Sequence, residues 1–243
     1  MSHTTEIQVI RNNYEQVLTN IQQQASLVGR NGAAIKLVVV TKGHPIERLR
    51  MVIEAGICEL GENYVEEGVA KIQELNNLAG LKWHMIGHIQ SRKVAEVIRN
   101  FDFIHTIDSV KLAYRLDRFS GEANRQIPAL LECNTSGETT KYGFQIWDDS
   151  QWSNFLFAAS EISALPHLNI VGLMTMAPFL PDPEETRPFF RRLNELSKRL
   201  NDNITGNKFK QLSMGMSSDY QIAVQEGATI VRVGQAILGA RLN

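Results

Sequence analysis

No apolar run in this chain approaches the length needed to cross a bilayer, and Met1–Gln24 is too polar for a signal peptide. Cysteine is scarce: Cys58 and Cys133 are the two in 243 residues. They fall in different expected strands. With no targeting segment, the reading is free buried thiols in a cytoplasmic protein, not a disulfide. Charge of one sign is also missing. Lys and Arg number 25 against 26 Asp and Glu, a net charge of −1. That balance gives no electrostatic case for nucleic acid or an anionic membrane as partner. Long linkers and low-complexity segments are absent too. What remains is 43% hydrophobic and 21% charged, ordinary for a globular protein with a sizeable core.

The stretch Lys36–Lys42 organises the rest. Its apolar, β-branched centre reads as a strand buried on both faces, as in parallel sheets. Gly43-His44-Pro45 breaks it, and a helix with Ile46, Leu49, Val52 and Ile53 on one face follows. Before it, Thr4–Val28 carries a helical stripe of Ile7, Ile10, Tyr14, Val17, Leu18 and Ile21. After it, strands are expected at Gly56–Gly61, Lys82–Ile86, Phe103–Ile107, Ile127–Cys133, Asn169–Met174, Phe209–Met214 and Thr229–Val233. Helices separate them, including Val110–Phe119 behind an Asp108-Ser109 cap, roughly Asp148–Leu165, Pro183–Leu200 and Ser218–Glu226. A short segment, Gln235–Arg241, closes the chain. Eight strands alternating with helices, after one extra N-terminal helix over residues 1–34, predict a single α/β domain of 243 residues, a (β/α)8 TIM barrel. An open doubly wound sheet would more naturally carry a Gly-rich dinucleotide turn after its first strand, and Thr41-Lys42-Gly43-His44 is not one.

In such a barrel the C-terminal strand ends share one face, and that face holds the active site. Lys42, Glu62-Asn63, His84 with His88, Asp108, Asn134, Met174-Thr175, Ser213 and Gly234 all stand at these ends. A cation such as Lys42 at the end of a buried strand is costly unless solvated, paired or used. An ordinary lysine reaching for water is the plain alternative. After the seventh strand runs Ser213-Met214-Gly215-Met216-Ser217-Ser218-Asp219, and after the eighth Arg232-Val233-Gly234-Gln235-Ala236. Barrels frequently bind phosphate with these two loops; the serines and Asp219 could equally cap the helix that follows. A lysine on the first strand beside an anion site suggests a Schiff base. Two ligands fit, a phosphorylated sugar as in a class I aldolase, or pyridoxal 5′-phosphate. Arg232 bears on that choice, since a cation facing a pyridine nitrogen keeps it unprotonated, where a carboxylate would protonate it.

The stretches Val39-Val40-Thr41-Lys42, Gly61–Gly68, Trp83–Gln90, Thr106–Ser109, Gly172–Met174, Leu212–Ser217 and Val231–Arg241 resemble those of the pyridoxal phosphate homeostasis proteins, the YggS/PROSC family. The resemblance runs from about Ile35 to Arg241. It implies a fold-type III pyridoxal phosphate barrel similar to the N-terminal domain of alanine racemase. It makes Lys42 the Schiff-base lysine and Arg232 the partner of the pyridine nitrogen. Ser213, the backbone at Gly215-Met216 and the Gly234-Gln235 turn would hold the phosphate, and Asn63 and Met174 would line the ring pocket. Two departures stand out: Gln235 where the family often has Thr, and Arg92 where it often has Asn. His84, His88 and Asp108 are read as structural.

The resemblance further implies a role in vitamin B6 and amino-acid balance without catalytic turnover. Apo-enzymes that need pyridoxal phosphate are the candidate recipients. Two-base racemisation needs a proton donor on each face of the substrate. The sequence offers Lys42 on one face and no evident partner on the other, Tyr64 and Tyr142 being weak candidates. The expected absence of a racemase-type second domain also favours a monomer. The alternatives are a pyridoxal phosphate-dependent amino-acid racemase and a partner-binding module. The second would use the basic face of Pro183–Leu200, with Arg187, Arg191, Arg192, Lys198 and Arg199, though such a run is usually solvated surface.

Overall fold

The computed structural model describes residues 2–206 and 209–240. Strand β1 (Lys36–Val40) pairs in parallel with β2 (Glu59–Glu62), in register Val39 to Leu60, and on its other edge with β9 (Ile230–Val233), in register Leu37 to Val231. From β2 the sheet continues through β3 (Lys82–Met85), β4 (Phe103–Ile107) and β5 (Ile127–Asn134). From β9 it continues through β8 (Gln211–Ser213) and β7 (Leu168–Met174), and β5 pairs with β7. The eight parallel strands therefore close on themselves, with no free edge among the described residues. This is the expected (β/α)8 barrel. The expected sixth, seventh and eighth strands are β7, β8 and β9. Their numbering shifts because a two-residue strand, β6 (Phe144–Gln145), pairs with the end of β5 outside the barrel.

The helices form the outer ring: α1 (His3–Leu27), α2 (Ile46–Glu54), α3 (Val65–Glu74), α4 (Val94–Asn100), α5 (Val110–Glu122), α6 (Trp152–Ser163), α7 (Arg187–Asn203), α8 (Tyr220–Gln225) and α9 (Gln235–Leu238). Each buries one stripe. On α7 that stripe is Phe190, Leu193, Leu196 and Leu200, three or four residues apart, as a helix covering a sheet requires. On α1 it is Ile10, Val17, Ile21 and Ala25, with Ile7 and Tyr14 half-buried. Leu18, expected on that stripe, is exposed; it sits one residue, about 100° of helix turn, beyond Val17. The extra helix α1 is tied to the end of the barrel sequence. Asn13 donates to the Ile237 carbonyl, Asn20 to the Tyr220 hydroxyl, and Arg30, just beyond the helix, to the carbonyls of Val224 and Ala228.

Several boundaries move for local reasons. Pro45 stands as the N-cap of α2. The expected strand at Gly56 starts only at Glu59, because Gly56 turns with φ of +92°. Asp148–Leu165 begins as a short 3-10 turn at Asp149–Gln151, closed by a capping box in which Asp148 and Gln151 satisfy each other's backbone. The last residue of the expected segment Gln235–Arg241 lies outside the described residues. Both cysteines are free, but only Cys133 is buried; Cys58 is exposed ahead of β2. Burial pushes the Cys133 thiol strongly up, so it stays a neutral, inert thiol.

Candidate active site

The C-terminal ends of the strands open onto a cavity of about 600 Å³, in the usual range for a small-molecule site. Lys42, Asn63, Met216, Arg232, Gly234 and Gln235 line it, bringing together six of the nine residues singled out from sequence. The other three lie deeper. Met174 is fully buried, and Met176, two residues further along, takes the place expected of it at the cavity wall. Gly215 is buried against α8, and Ser217 and Ser218 face the cavity instead. Ser213 is fully buried beneath the wall, where its hydroxyl accepts from Arg232 Nη1 at 2.5 Å and bonds His105 Nδ1 at 2.8 Å. In the free protein that hydroxyl is bonded to Arg232 and His105.

Lys42 occupies the turn that follows β1, half-buried, and that turn is clamped from both sides. The ammonium of Lys71, buried on α3, donates to the Thr41 carbonyl at 2.8 Å, to Glu62 Oε1 at 2.8 Å and to Glu67 Oε1 at 2.6 Å. Thr41 Oγ1 donates to the same Glu62 oxygen, and the Gly43 amide donates to Glu67 Oε1. The residues before and after Lys42 are thus fixed by one buried ion-pair group. Burial pushes the Glu62 carboxyl up, against the pull of Lys71 and Thr41.

Arg232 projects from β9, the strand that neighbours β1, and is 4% exposed. Its Nη2 donates to the Thr175 carbonyl at 3.0 Å and its Nη1 to Ser213. Burial lowers its pKa to about 10, with Asp219 and Glu132 opposing, so it stays a cation at neutral pH. Two turns stand beside it. The Met216 amide donates to Asp219 Oδ1 at 2.6 Å, and the Ala236 amide to Ser217 Oγ at 3.3 Å, which joins the loop after β8 to the loop after β9. Gly215 makes the first loop possible. Its φ is +93°, and a Cβ there would stand 2.6 Å from the Ala223 Cβ. Gly87 does the same on the opposite wall, where a Cβ would fall 2.1 Å from the Asn63 carbonyl oxygen.

Other residues of the site were either not read from the sequence or not assigned to the cavity there. Glu132, the next-to-last-but-one residue of β5, lines the cavity at 3% exposure, and its Oε2 makes no hydrogen bond. Burial, then the charge of Asp108, raises its carboxyl to about 7, against the pull of Arg232. A buried strand residue flanked by Leu131 and Cys133 carries no motif that would announce this. Tyr64, Tyr142 and Phe179 stand exposed at the rim, and Tyr142 stacks on His88 at 3.9 Å between ring centres. His88 also pairs with Asp108 at 3.0 Å and lines the cavity. His84 and His105 lie inside the barrel, and Lys71 supports the Lys42 turn. Arg92 bonds Gln90 and does not line the cavity.

The basic face of α7 is neutralised locally. Arg187 and Arg191 pair with Glu226, Arg192 and Arg199 pair with Asp149, and Arg199 stacks on Trp152. That leaves little free positive charge for an acidic partner. No helix among the described residues is long and apolar enough to cross a membrane, and no cluster of His, Cys, Asp and Glu among them could hold a metal ion.

The donor set has the chemistry of a pyridoxal phosphate site: an amine for an aldehyde, a cation for a ring nitrogen, and hydroxyl-lined backbone turns for a phosphate. Comparison with known proteins agrees with that chemistry. The family model of the alanine racemase N-terminal domain matches residues 12–242. The pyridoxal phosphate homeostasis protein of Vibrio cholerae is 38% identical over 239 residues, covering 96% of each chain. The structure of PipY from Synechococcus elongatus with PLP bound superposes with a TM-score of 0.77 at 35% identity, covering 90% of this chain and all of that one. An alanine racemase from Clostridium difficile shares the fold, with a TM-score of 0.71 at 18% identity, over 94% of this chain and 56% of its own. The chain therefore belongs to the pyridoxal phosphate homeostasis proteins, a family built on the alanine racemase N-terminal barrel.

Proposed function

We propose that this protein binds pyridoxal 5′-phosphate, holds it reversibly as a Schiff base on Lys42, and serves vitamin B6 and amino-acid homeostasis without catalytic turnover. The observation that carries the reading is the opening of Lys42 and Arg232 onto one cavity, with the two joined turns beside them. When bound, the cofactor supplies an aldehyde for an amine and a ring that accepts electrons. Lys42 presents the amine from a turn that Lys71, Glu62 and Glu67 keep in place. Arg232 presents N–H groups and positive charge toward a ring nitrogen, which keeps that nitrogen unprotonated and weakens the ring as an electron sink. Ser217, Ser218 and the Gly234-Gln235 backbone receive the phosphate. Asn63 and Met176 bound the ring, with Tyr64, Tyr142 and Phe179 at the entrance. The protein acts as a cytoplasmic monomer, and apo-enzymes that need pyridoxal phosphate are the recipients.

The test is the visible absorption spectrum of the purified protein with added pyridoxal phosphate, before and after borohydride. Wild type should show a cofactor band that borohydride fixes as added mass on the Lys42 peptide, and Lys42→Ala should show neither. Absence of both in wild type would remove the reading. One observation favours the second reading, an amino-acid racemase: Glu132 is a cavity carboxyl that changes charge near neutral pH and could exchange a proton. Loss of optical activity from L-alanine, abolished by both Lys42→Ala and Glu132→Gln, would establish it.

A further inference from the structure

Inside the barrel a file of hydrogen bonds runs from the cavity to the opposite mouth. Arg232 Nη1 bonds Ser213 Oγ at 2.5 Å, Ser213 Oγ bonds His105 Nδ1 at 2.8 Å, and His105 Nε2 bonds His84 Nδ1 at 2.9 Å. His84 Nε2 then meets Glu59 Oε2 at 2.5 Å, and Lys36 Nζ meets Glu59 Oε1 at 2.9 Å. Strands β4 and β8 are not neighbours in the closed sheet, so the bond between His105 and Ser213 crosses the interior. Lys36 and Glu59 open β1 and β2, at the end of the strands away from the cavity. His84, His105 and Ser213 are each at most 1% exposed. Phe103 flanks both imidazoles, with ring centres 5.3 Å from His84 and 4.9 Å from His105.

Proton bookkeeping gives this file one direction. A guanidinium has no acceptor, so Arg232 donates and Ser213 accepts. The Ser213 proton then has one acceptor in the file, His105 Nδ1. His105 must carry its proton on Nε2 and donate to His84 Nδ1, and His84 must carry its proton on Nε2 and donate to Glu59. At that end a carboxylate only accepts, from His84 and from Lys36. Every donor meets an acceptor with both imidazoles neutral. If the file ran the other way, Ser213 would accept from both neighbours and its own buried proton would have no acceptor, at the cost of a hydrogen bond.

We propose that Glu59, His84, His105 and Ser213 are positioning residues that fix the orientation of Arg232 in the cofactor cavity, with the Glu59 carboxylate at the far mouth setting the direction of the file. The inference rests on the pyridoxal phosphate reading only for what Arg232 contacts; the file itself belongs to the free protein. Glu59→Gln removes the obligatory acceptor at a half-buried position where the fold should tolerate an amide, and lifts the bar to the reverse direction at that end, leaving only the Ser213 proton to oppose it. Ser213→Ala and Ser213→Thr form a second pair, the threonine keeping the hydroxyl.

Long-range proton–nitrogen correlation spectra of the free, nitrogen-15-labelled protein read the imidazole tautomers. Wild type and Ser213→Thr should show His84 and His105 protonated on Nε2 alone. Glu59→Gln and Ser213→Ala should show mixed tautomers at His105, and pyridoxal phosphate should bind about tenfold more weakly, the scale of one hydrogen bond. The proposal is overturned by a wild-type His105 protonated on Nδ1, or by a Glu59→Gln variant with unchanged tautomers and affinity. If wild type fails to bind pyridoxal phosphate while its tautomers are as stated, the functional reading falls and the file stands.

Discussion

Replacing Glu132 by glutamine should stabilise the free protein above neutral pH and do little in mild acid. The Glu132 carboxyl is 3% exposed, its Oε2 lacks a hydrogen bond, and burial with the Asp108 charge raises its pKa from 4.5 to about 7. An acid whose folded pKa lies above its unfolded one holds more protons in the native state, so stability falls as pH rises between the two values. The full loss, present above the folded pKa, is on the order of 3 kcal/mol for a shift of this size. An amide keeps the shape and removes the ionisation. Urea unfolding of wild type and Glu132→Gln at about pH 5 and about pH 8.5 reads the effect, with the variant gaining only at the higher pH. Asp219, His84 and His105 titrate in both proteins, so the difference between the two pH values isolates Glu132 to the extent that these sites are independent. An equal gap at both pH values would refute the reasoning, since it would mean that Glu132 is charged, or neutral, in both states throughout.

Lys71→Met leaves Glu62 buried without its cation, which should cost about 3–5 kcal/mol and lower the thermal midpoint. At a temperature where the variant is folded, less cofactor should be fixed on Lys42 by borohydride, read by mass spectrometry. Gly215→Ala should destabilise by more than Gly80→Ala in urea unfolding. Both glycines have positive φ, worth about 1 kcal/mol, but a Cβ at Gly215 meets Ala223 and Tyr220 while one at Gly80 meets nothing within 4 Å. Phe179→Ser should leave stability within about 0.5 kcal/mol, because the ring is 87% exposed. The same change should speed cofactor release, measured by transfer to an excess of a scavenging amine.

The barrel was legible because two periodicities alternate without interruption. Strand Phe103–Ile107 is found as expected, and the stripe of α7 from Phe190 to Leu200 is unmistakable at helical spacing. Residues lining the cavity were legible where a strand end carried an unusual side chain: Lys42, Arg232 and the Gly234-Gln235 turn all face it. Depth was not legible. A strand-end motif marks a position along the strand, while side chains two residues apart lie on one face at different heights in the barrel. Hence Met174 sits deeper than Met176, and Ser213 deeper than Ser217. The arginines of α7 look like a basic face in one dimension because Glu226 and Asp149, which neutralise them, come from other parts of the chain.

The two ends of the site are held by groups that never reach the cavity. Lys71 fixes the backbone on either side of Lys42, and the file through His105 and Ser213 fixes Arg232. A barrel interior is ordinarily filled by branched apolar layers, which stabilise without needing partners. Polar groups in that position contribute little net stability, and they cost heavily when one partner is missing. Their return is orientation, because a file in which every donor has one available acceptor admits one arrangement where apolar packing admits several. On the proposed reading, a site that holds its ligand reversibly cannot rely on the ligand to organise it, since the free state must remain competent to bind. On that argument His84, His105 and Lys71 are as much a part of binding as Lys42 is. Their place in it follows from contacts between strands and helices distant in sequence, which no local motif records.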